Sequence, residues 1–162
     1  MNRALILTAL LFLSVVMISC GGEDTEDTAK NFPNEHDGLY WSDASSSSMT
    51  WDEAIIYCEN LGGRLPTISE LRTLIQNCSA TETGGECGVT DSCLSYGDCW
   101  NYACDKCKYD ESGKYSVFGD ANWFWSSSEP SDDTDRAWDV SFDGGSVGGY
   151  DKNLYNDVRC VK

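Results

Sequence analysis

The amino-acid sequence predicts a protein of the α+β class, with two helices followed by a small antiparallel sheet, long loops and a disulfide-rich insertion. Three observations support this prediction. Apolar residues recur at helical spacing from Trp51 to Ile75, they alternate with polar residues after Trp123, and six cysteines lie within residues 78–107. Helices followed by a run of strands are typical of the α+β class.

Capping signals place the two helices. Thr50 and Glu53 form a capping box and the motif recurs at Thr67 and Glu70, so a helix is expected to begin after each threonine. Pro66 separates the two helices. The residues expected to face the core are Trp51, Ala54, Ile55, Cys58 and Leu61 in the first helix, and Ile68, Leu71, Leu74 and Ile75 in the second.

The second half of the chain has the two-residue period of β-strands. Trp138, Val140 and Phe142 alternate with small or polar residues, which predicts a half-buried strand. The Asp-Gly-Gly segment at 143–145 predicts a hairpin turn into a return strand. Further strands are expected at 39–41, at 123–125 and at the C-terminus, where Val158 and Cys160 would face inward and Asp157 and Arg159 outward.

The cysteines predict a disulfide-bonded, exported domain. Cys58 and Cys160 both fall on inward-facing positions and are expected to pair. The remaining Cys78, Cys87, Cys93, Cys99, Cys104 and Cys107 allow fifteen connectivities, which the sequence does not rank. The CxxC at residues 104–107 lacks both the second cysteine pair of a zinc site and the βαβ context of a redox motif.

The N-terminus resembles a bacterial lipoprotein signal. A basic start and an apolar run make residues 1–19 a signal peptide, and Cys20 follows a small residue as the expected lipidation site. Lipidation of Cys20 leaves eight cysteines that pair completely, whereas the alternative of a plain cleaved signal leaves one thiol free. Residues 20–37 are expected to form an acidic tether, and residues 38–162 the folded domain. Gly21, in place of an aspartate, favours the outer membrane over the inner, with surface or periplasmic exposure left open.

The charge balance restricts the partners. The formal net charge is −16, so nucleic acid is not expected as a partner, and the lipid anchor is the expected membrane contact. Cationic ligands, neutral glycans, proteins and calcium remain open. The lone histidine, His36, falls in the predicted tether, so no histidine-dependent catalytic triad is expected in the domain.

Five segments, MTWDEAIIYC, GGRLPTISEL, WFWSSSE, RAWDVSF and VRCVK, together resemble a known bacterial family. This is the Fibrobacter succinogenes major paralogous domain family, which includes the C-terminal domain of the Legionella collagen-like protein. The resemblance spans about residues 40–161. It implies a C-type lectin-like fold, related to formylglycine-generating enzymes, with the N- and C-terminal strands side by side and a display surface on the loops of the second half. It implies no catalytic residues.

These observations predict a lipid-anchored ligand-binding domain without catalysis or a required cofactor. The expected binding residues lie on loops between patterned strands, namely Glu129, Asp132, Asp133, Asp135, Arg136, Asp139, Tyr150, Asn156 and Asp157. One alternative is calcium-dependent carbohydrate binding, since Glu129, Asn156 and Asp157 resemble elements of lectin calcium sites. Another is a structural envelope protein whose acidic face has no specific ligand. The even number of mature cysteines disfavours a thiol-dependent enzyme.

Overall fold

The computed structural model describes residues 30–162, so the predicted signal peptide, Cys20 and most of the tether lie outside the described residues. Strands and helices follow the predicted α+β order. The elements are β1 Asn34–His36, β2 Leu39–Trp41, α1 Trp51–Asn60, α2 Ile68–Arg72, α3 Tyr96–Cys99, a 3-10 helix Tyr102–Asp105, β3 Trp123–Trp125, β4 Arg136–Ser141 and β5 Ser146–Asp151.

Both predicted capping boxes form. The Thr50 backbone N–H donates to Glu53 Oε2 at 2.9 Å at the start of α1, and the Thr67 N–H donates to Glu70 Oε2 at 2.8 Å at the start of α2. These bonds satisfy backbone donors that a helix N-terminus otherwise leaves unpaired. Helix α2 ends at Arg72, and the predicted core residues Leu74 and Ile75 are buried in the turn that follows.

A three-stranded antiparallel sheet in the order β3-β4-β5 forms the centre of the domain. The predicted hairpin turn at 143–145 joins β4 to β5. Strand β4 is buried on both faces, so the expectation of a half-buried strand is wrong. Ala137 packs in a cluster with Cys58 of α1, whereas Trp138 and Val140 pack in a larger cluster with α2 and the disulfide-rich insertion.

The folded unit begins earlier than the predicted boundary at residue 38. Residues 34–36 pair with 39–41 in a hairpin whose two turn residues, Asp37 and Gly38, have φ of 54° and 78°. Two consecutive positive φ values are the signature of a type I′ turn, which Asp-Gly sequences favour. Phe32 is only 2% exposed and belongs to the α1 core cluster. Residues 30–37 are therefore part of the domain rather than of the tether.

Four disulfides bond all eight cysteines of residues 30–162. The predicted Cys58–Cys160 bond is confirmed and links α1 to the C-terminal segment. In the insertion the bonds are nested, with Cys78–Cys107 enclosing Cys87–Cys104 and that pair enclosing Cys93–Cys99. The two cysteines of the CxxC thus belong to different disulfides.

The C-terminal segment lies beside the N-terminal hairpin, as the family resemblance implies. Tyr40 and Lys162 exchange two backbone hydrogen bonds of 2.9 and 3.1 Å, and Val161 bridges to Trp41. The segment makes isolated bridges rather than a regular strand. The prediction that Arg159 faces outward is wrong, because its guanidinium is buried in a bidentate ion pair with Asp120, with both N–O distances 2.7 Å.

Candidate functional site

Two residues of the predicted ligand-binding set do not face outward. Asp139 and Asn156 are buried, and Asn156 Nδ2 donates to Asp139 Oδ2 at 2.9 Å. Burial raises the pKa of Asp139 to about 7. For Asp139 the expected outward position is wrong because α1 and its core cluster cover the face of β4 that alternation marks as polar.

Asp132 has a structural role at the start of α3. Its carboxylate accepts backbone hydrogen bonds from Tyr96 at 2.6 Å and Gly97 at 2.9 Å, and a third bond from the Ser95 hydroxyl. The two amide donors stabilise the charged form and lower the pKa of Asp132 to about 2. This side chain therefore connects the 129–135 loop to the insertion.

Three further predicted residues are paired with one another or with a lysine. Glu129 Oε2 forms an ion pair with Lys152 Nζ at 2.6 Å, and Asp133 Oδ2 forms one with Arg136 Nε at 3.2 Å. Asp135 is exposed beside them. All of these residues except Asp135 therefore form ion pairs.

The residues of the calcium alternative do not form one coordination group. Glu129 is bonded to Lys152, Asn156 to Asp139, and Asp157 to Ser48 and Asn122. Across residues 30–162, no three His, Cys, Asp or Glu side chains cluster so as to hold a metal ion. A calcium ion at these residues would compete with the existing partners of all three.

Asp157 belongs to a recess that we name the aromatic cleft. This cleft has a volume of about 210 Å³ and is lined by Ser48, Asn122, Trp123, Tyr155, Asn156 and Asp157. It collects residues from the loop before α1, from the start of β3 and from the C-terminal segment. Among the predicted binding residues, Asn156 and Asp157 line the cleft.

Backbone hydrogen bonds hold the walls of the cleft in place. The Asp157 N–H donates to the Trp123 carbonyl at 2.8 Å, and the Trp125 N–H donates to the Asp157 carbonyl at 3.1 Å. Asn156 and Met49 exchange two backbone bonds of 2.9 and 3.1 Å. The cleft is therefore built on paired backbone segments, close to the Cys58–Cys160 disulfide in sequence.

The Asp157 carboxylate has two neutral donors. Ser48 Oγ donates to Oδ1 at 2.6 Å, and Asn122 Nδ2 donates to Oδ2 at 3.1 Å. No lysine or arginine within residues 30–162 forms an ion pair with Asp157. The negative charge of the cleft is thus oriented by hydrogen bonds and forms no ion pair with a lysine or arginine of residues 30–162.

Aromatic rings supply the apolar surface of the cleft. Tyr155 is 65% exposed and Trp123 is 42% exposed. Trp123 stacks on Tyr150, a predicted binding residue, with ring centroids 6.4 Å apart. A Cβ on Gly148 would lie 3.3 Å from the Trp123 ring and 3.0 Å from Asp139 Oδ1, so this ring lies directly over the glycine backbone.

A second recess, which we name the helix groove, adjoins the aromatic cleft. The two share Ser48 and Tyr155, and the groove extends along α1 past Ile56 to Asn60. The carboxylate in this groove is that of Glu53. Its Oε2 accepts hydrogen bonds from the Thr50 backbone amide at 2.9 Å and from the Thr50 hydroxyl at 2.8 Å. These bonds lower the pKa of Glu53. Tyr155 therefore stands between two recesses, each with one carboxylate.

Sequence reasoning missed four of the cleft residues, namely Ser48, Asn122, Trp123 and Tyr155. One signal was available in the sequence, because Trp123 and Tyr155 stand next to strongly polar residues. Tryptophan and tyrosine combine an apolar ring with a polar group, and such side chains are often exposed at binding surfaces. Their convergence depends on contacts between segments more than one hundred residues apart, such as the Ser48–Asp157 hydrogen bond.

One comparison with known proteins identifies a family. A family model described as the Lcl C-terminal domain matches residues 30–162, which is the whole described structure. A comparison with curated proteins gave no match. In the described part of the chain, no helix has the length and apolar character needed to cross a membrane.

Proposed function

We propose a ligand-binding function for this chain, which belongs to the Lcl C-terminal domain family. In this proposal the domain of residues 30–162 recognises a glycan or a protein outside the cytoplasm. The aromatic cleft is the binding site, and the helix groove extends it.

The observation that carries the proposal is the exposure of Trp123 and Tyr155 around the oriented carboxylate of Asp157. Exposing large aromatic surface to water is unfavourable, and such residues supply much of the binding energy where proteins meet ligands. Paired backbone and the Cys58–Cys160 disulfide hold the cleft. A preformed site loses less conformational entropy on binding.

We propose further that Cys20 carries a lipid that anchors the domain to the outer membrane. The support is the signal-like sequence of residues 1–19 and the odd cysteine that remains once the eight cysteines of the domain are paired. The acidic segment that begins at Cys20 then holds the domain away from the bilayer. Metabolic labelling with a fatty acid tests this, since a Cys20→Ala variant should take up no label.

Catalysis is not part of the proposal. The eight cysteines of residues 30–162 are in disulfides, so none of them supplies a thiolate nucleophile. The Glu53 carboxylate of the helix groove is held by Thr50 in hydrogen bonds that favour its charged form, which suits recognition more than proton transfer.

A glycan and protein array tests the proposal. We would probe it with residues 21–162 and with a Tyr155→Ala variant, which removes the most exposed ring of the cleft. A Tyr102→Ala variant is the matched control, because Tyr102 is 90% exposed but lies in the insertion. The proposal expects array ligands that the Tyr155 variant loses and the Tyr102 variant retains. Ligands that both variants bind equally would show that the binding site lies outside the aromatic cleft. An array without ligands would favour the alternative of a structural envelope protein without a specific ligand.

A further inference from the structure

We infer that the aromatic cleft selects ligands that carry an organic ammonium group, such as a lysine side chain or a quaternary amine. The inference rests on the proposed binding function and names the chemical class of its ligand. It follows from the charge of the two recesses, from the faces of their rings and from the positions of their hydrogen-bond donors.

The first argument is charge. Within residues 30–162, Asp157 in the aromatic cleft and Glu53 in the helix groove form no ion pair, and no lysine, arginine or histidine of this range lines either recess. Six other carboxylates of residues 30–162 do form ion pairs, as in Glu129–Lys152 and Asp120–Arg159. With a net charge of −16 around them, two uncompensated carboxylates attract cations and repel anions.

The second argument is the chemistry of the rings. A cation over an aromatic face is attracted by the negative potential of that face, most strongly over tryptophan. The protein uses this contact internally, with Lys152 Nζ 4.3 Å from the Trp51 ring centroid. Within the described residues, no cation–ring contact involves Trp123 or Tyr155, so neither ring is already engaged by a lysine or arginine of this part of the chain.

The third argument is the direction of the donors beside Asp157. Ser48 and Asn122, the polar side chains beside Asp157, direct their donors to its carboxylate. An anionic ligand would find no positive charge among these three residues, and the Ser48 hydroxyl and one Asn122 amide hydrogen are already directed to Asp157. An ammonium group needs no donor from the protein, because it supplies its own hydrogens or, when fully alkylated, binds through charge and ring contact.

Two pairs of probes of matched shape test the inference by NMR titration of residues 21–162, which contain the whole domain. The first pair is choline and its uncharged carbon analogue, 3,3-dimethylbutan-1-ol. The second pair is Nα-acetyl-lysine amide and its Nε-acetylated form. We expect the Trp123 indole signal to shift with the charged member of at least one pair, with affinity about tenfold above its neutral match. The pair that binds identifies the source, a quaternary amine or a lysine side chain.

Matched variants separate charge from shape. Asp157→Asn removes the charge at the cleft and should weaken the charged probe about tenfold, whereas Asp135→Asn removes an exposed charge outside it and should leave binding unchanged. Tyr155→Phe keeps the ring and should retain binding, and Tyr155→Leu should lose it. If Asp157→Asn does not fold, the comparison of Tyr155→Phe with Tyr155→Leu tests the inference by itself.

The outcomes distinguish this inference from the proposed function. Equal binding of the charged and neutral probes would overturn the ammonium assignment and leave a binding cleft. Array ligands that depend on Tyr155, together with no binding of either charged probe, would overturn it in favour of a neutral ligand such as a saccharide. If neither array ligands nor probes bind, both the assignment and the proposed function fall.

Discussion

Replacing Cys58 and Cys160 together by alanine should destabilise the domain more than removing any other disulfide. The bond joins residues 102 apart in sequence, whereas Cys93–Cys99 joins residues 6 apart. A cross-link stabilises a fold mainly by restricting the unfolded chain, and the restriction grows with the logarithm of the loop length. The relation gives about 4.7 kcal/mol for the long loop and about 2.4 kcal/mol for the short one.

The test compares the two double variants, Cys58→Ala/Cys160→Ala and Cys93→Ala/Cys99→Ala, in urea denaturation at pH 7 without reductant. Tryptophan fluorescence and far-ultraviolet circular dichroism report the transition. The free energy of unfolding should fall by about 2 kcal/mol more for the long-loop variant. Cys58 and Cys160 are also fully buried, so their truncation adds a packing loss in the same direction. An equal or larger loss in the short-loop variant would refute the reasoning.

Three further predictions concern polar groups. Because the folded-state pKa of Asp139 is raised from 3.8 to about 7, its stabilising contribution is fully present below pH 3.8 and is lost as the pH rises through 7. Asp139→Asn, which keeps an acceptor for Asn156, should therefore be more stable than the native protein at pH 8 by up to about 4 kcal/mol in urea denaturation, and a lower stability would contradict this. Arg72 donates to three carbonyls around the start of the insertion, two of them in buried hydrogen bonds, so Arg72→Met should lower the thermal midpoint by at least about 4 °C, and an unchanged midpoint would refute its structural role. Asp132→Ala should speed hydrogen exchange at the Tyr96 and Gly97 amides without changing exchange in α1, and unchanged rates would show that the cap is unimportant.

The predicted binding residues show how well composition and loop position predict a binding site. Polar residues between strands were a sound starting point, and Asp157 and Tyr150 do lie at or beside the cleft. The set went wrong where partners are distant in sequence. Asp132 caps a helix 36 residues away, and Glu129 pairs with Lys152 across 23 residues. An acidic side chain looks free in a sequence until its partner is known.

Features that depend on a few neighbouring residues were determined by the sequence alone. The capping boxes at Thr50 and Thr67, the β4–β5 turn and the inward position of Cys58 follow from short-range hydrogen bonds and side-chain period, which operate within a single turn or strand. The family resemblance likewise rests on short segments, and the match over residues 30–162 agrees with it.

Only the tertiary structure decided which polar residues are buried and where the cleft lies. Asp139 and Arg159 occupy positions that alternation marks as outward, yet a second layer covers them, and no local pattern records what packs against the opposite face of a strand. The aromatic cleft likewise joins Ser48 to Trp123 and Asp157 across the whole chain. Burial and convergence are properties of the packed layers, so they arise only when distant segments meet.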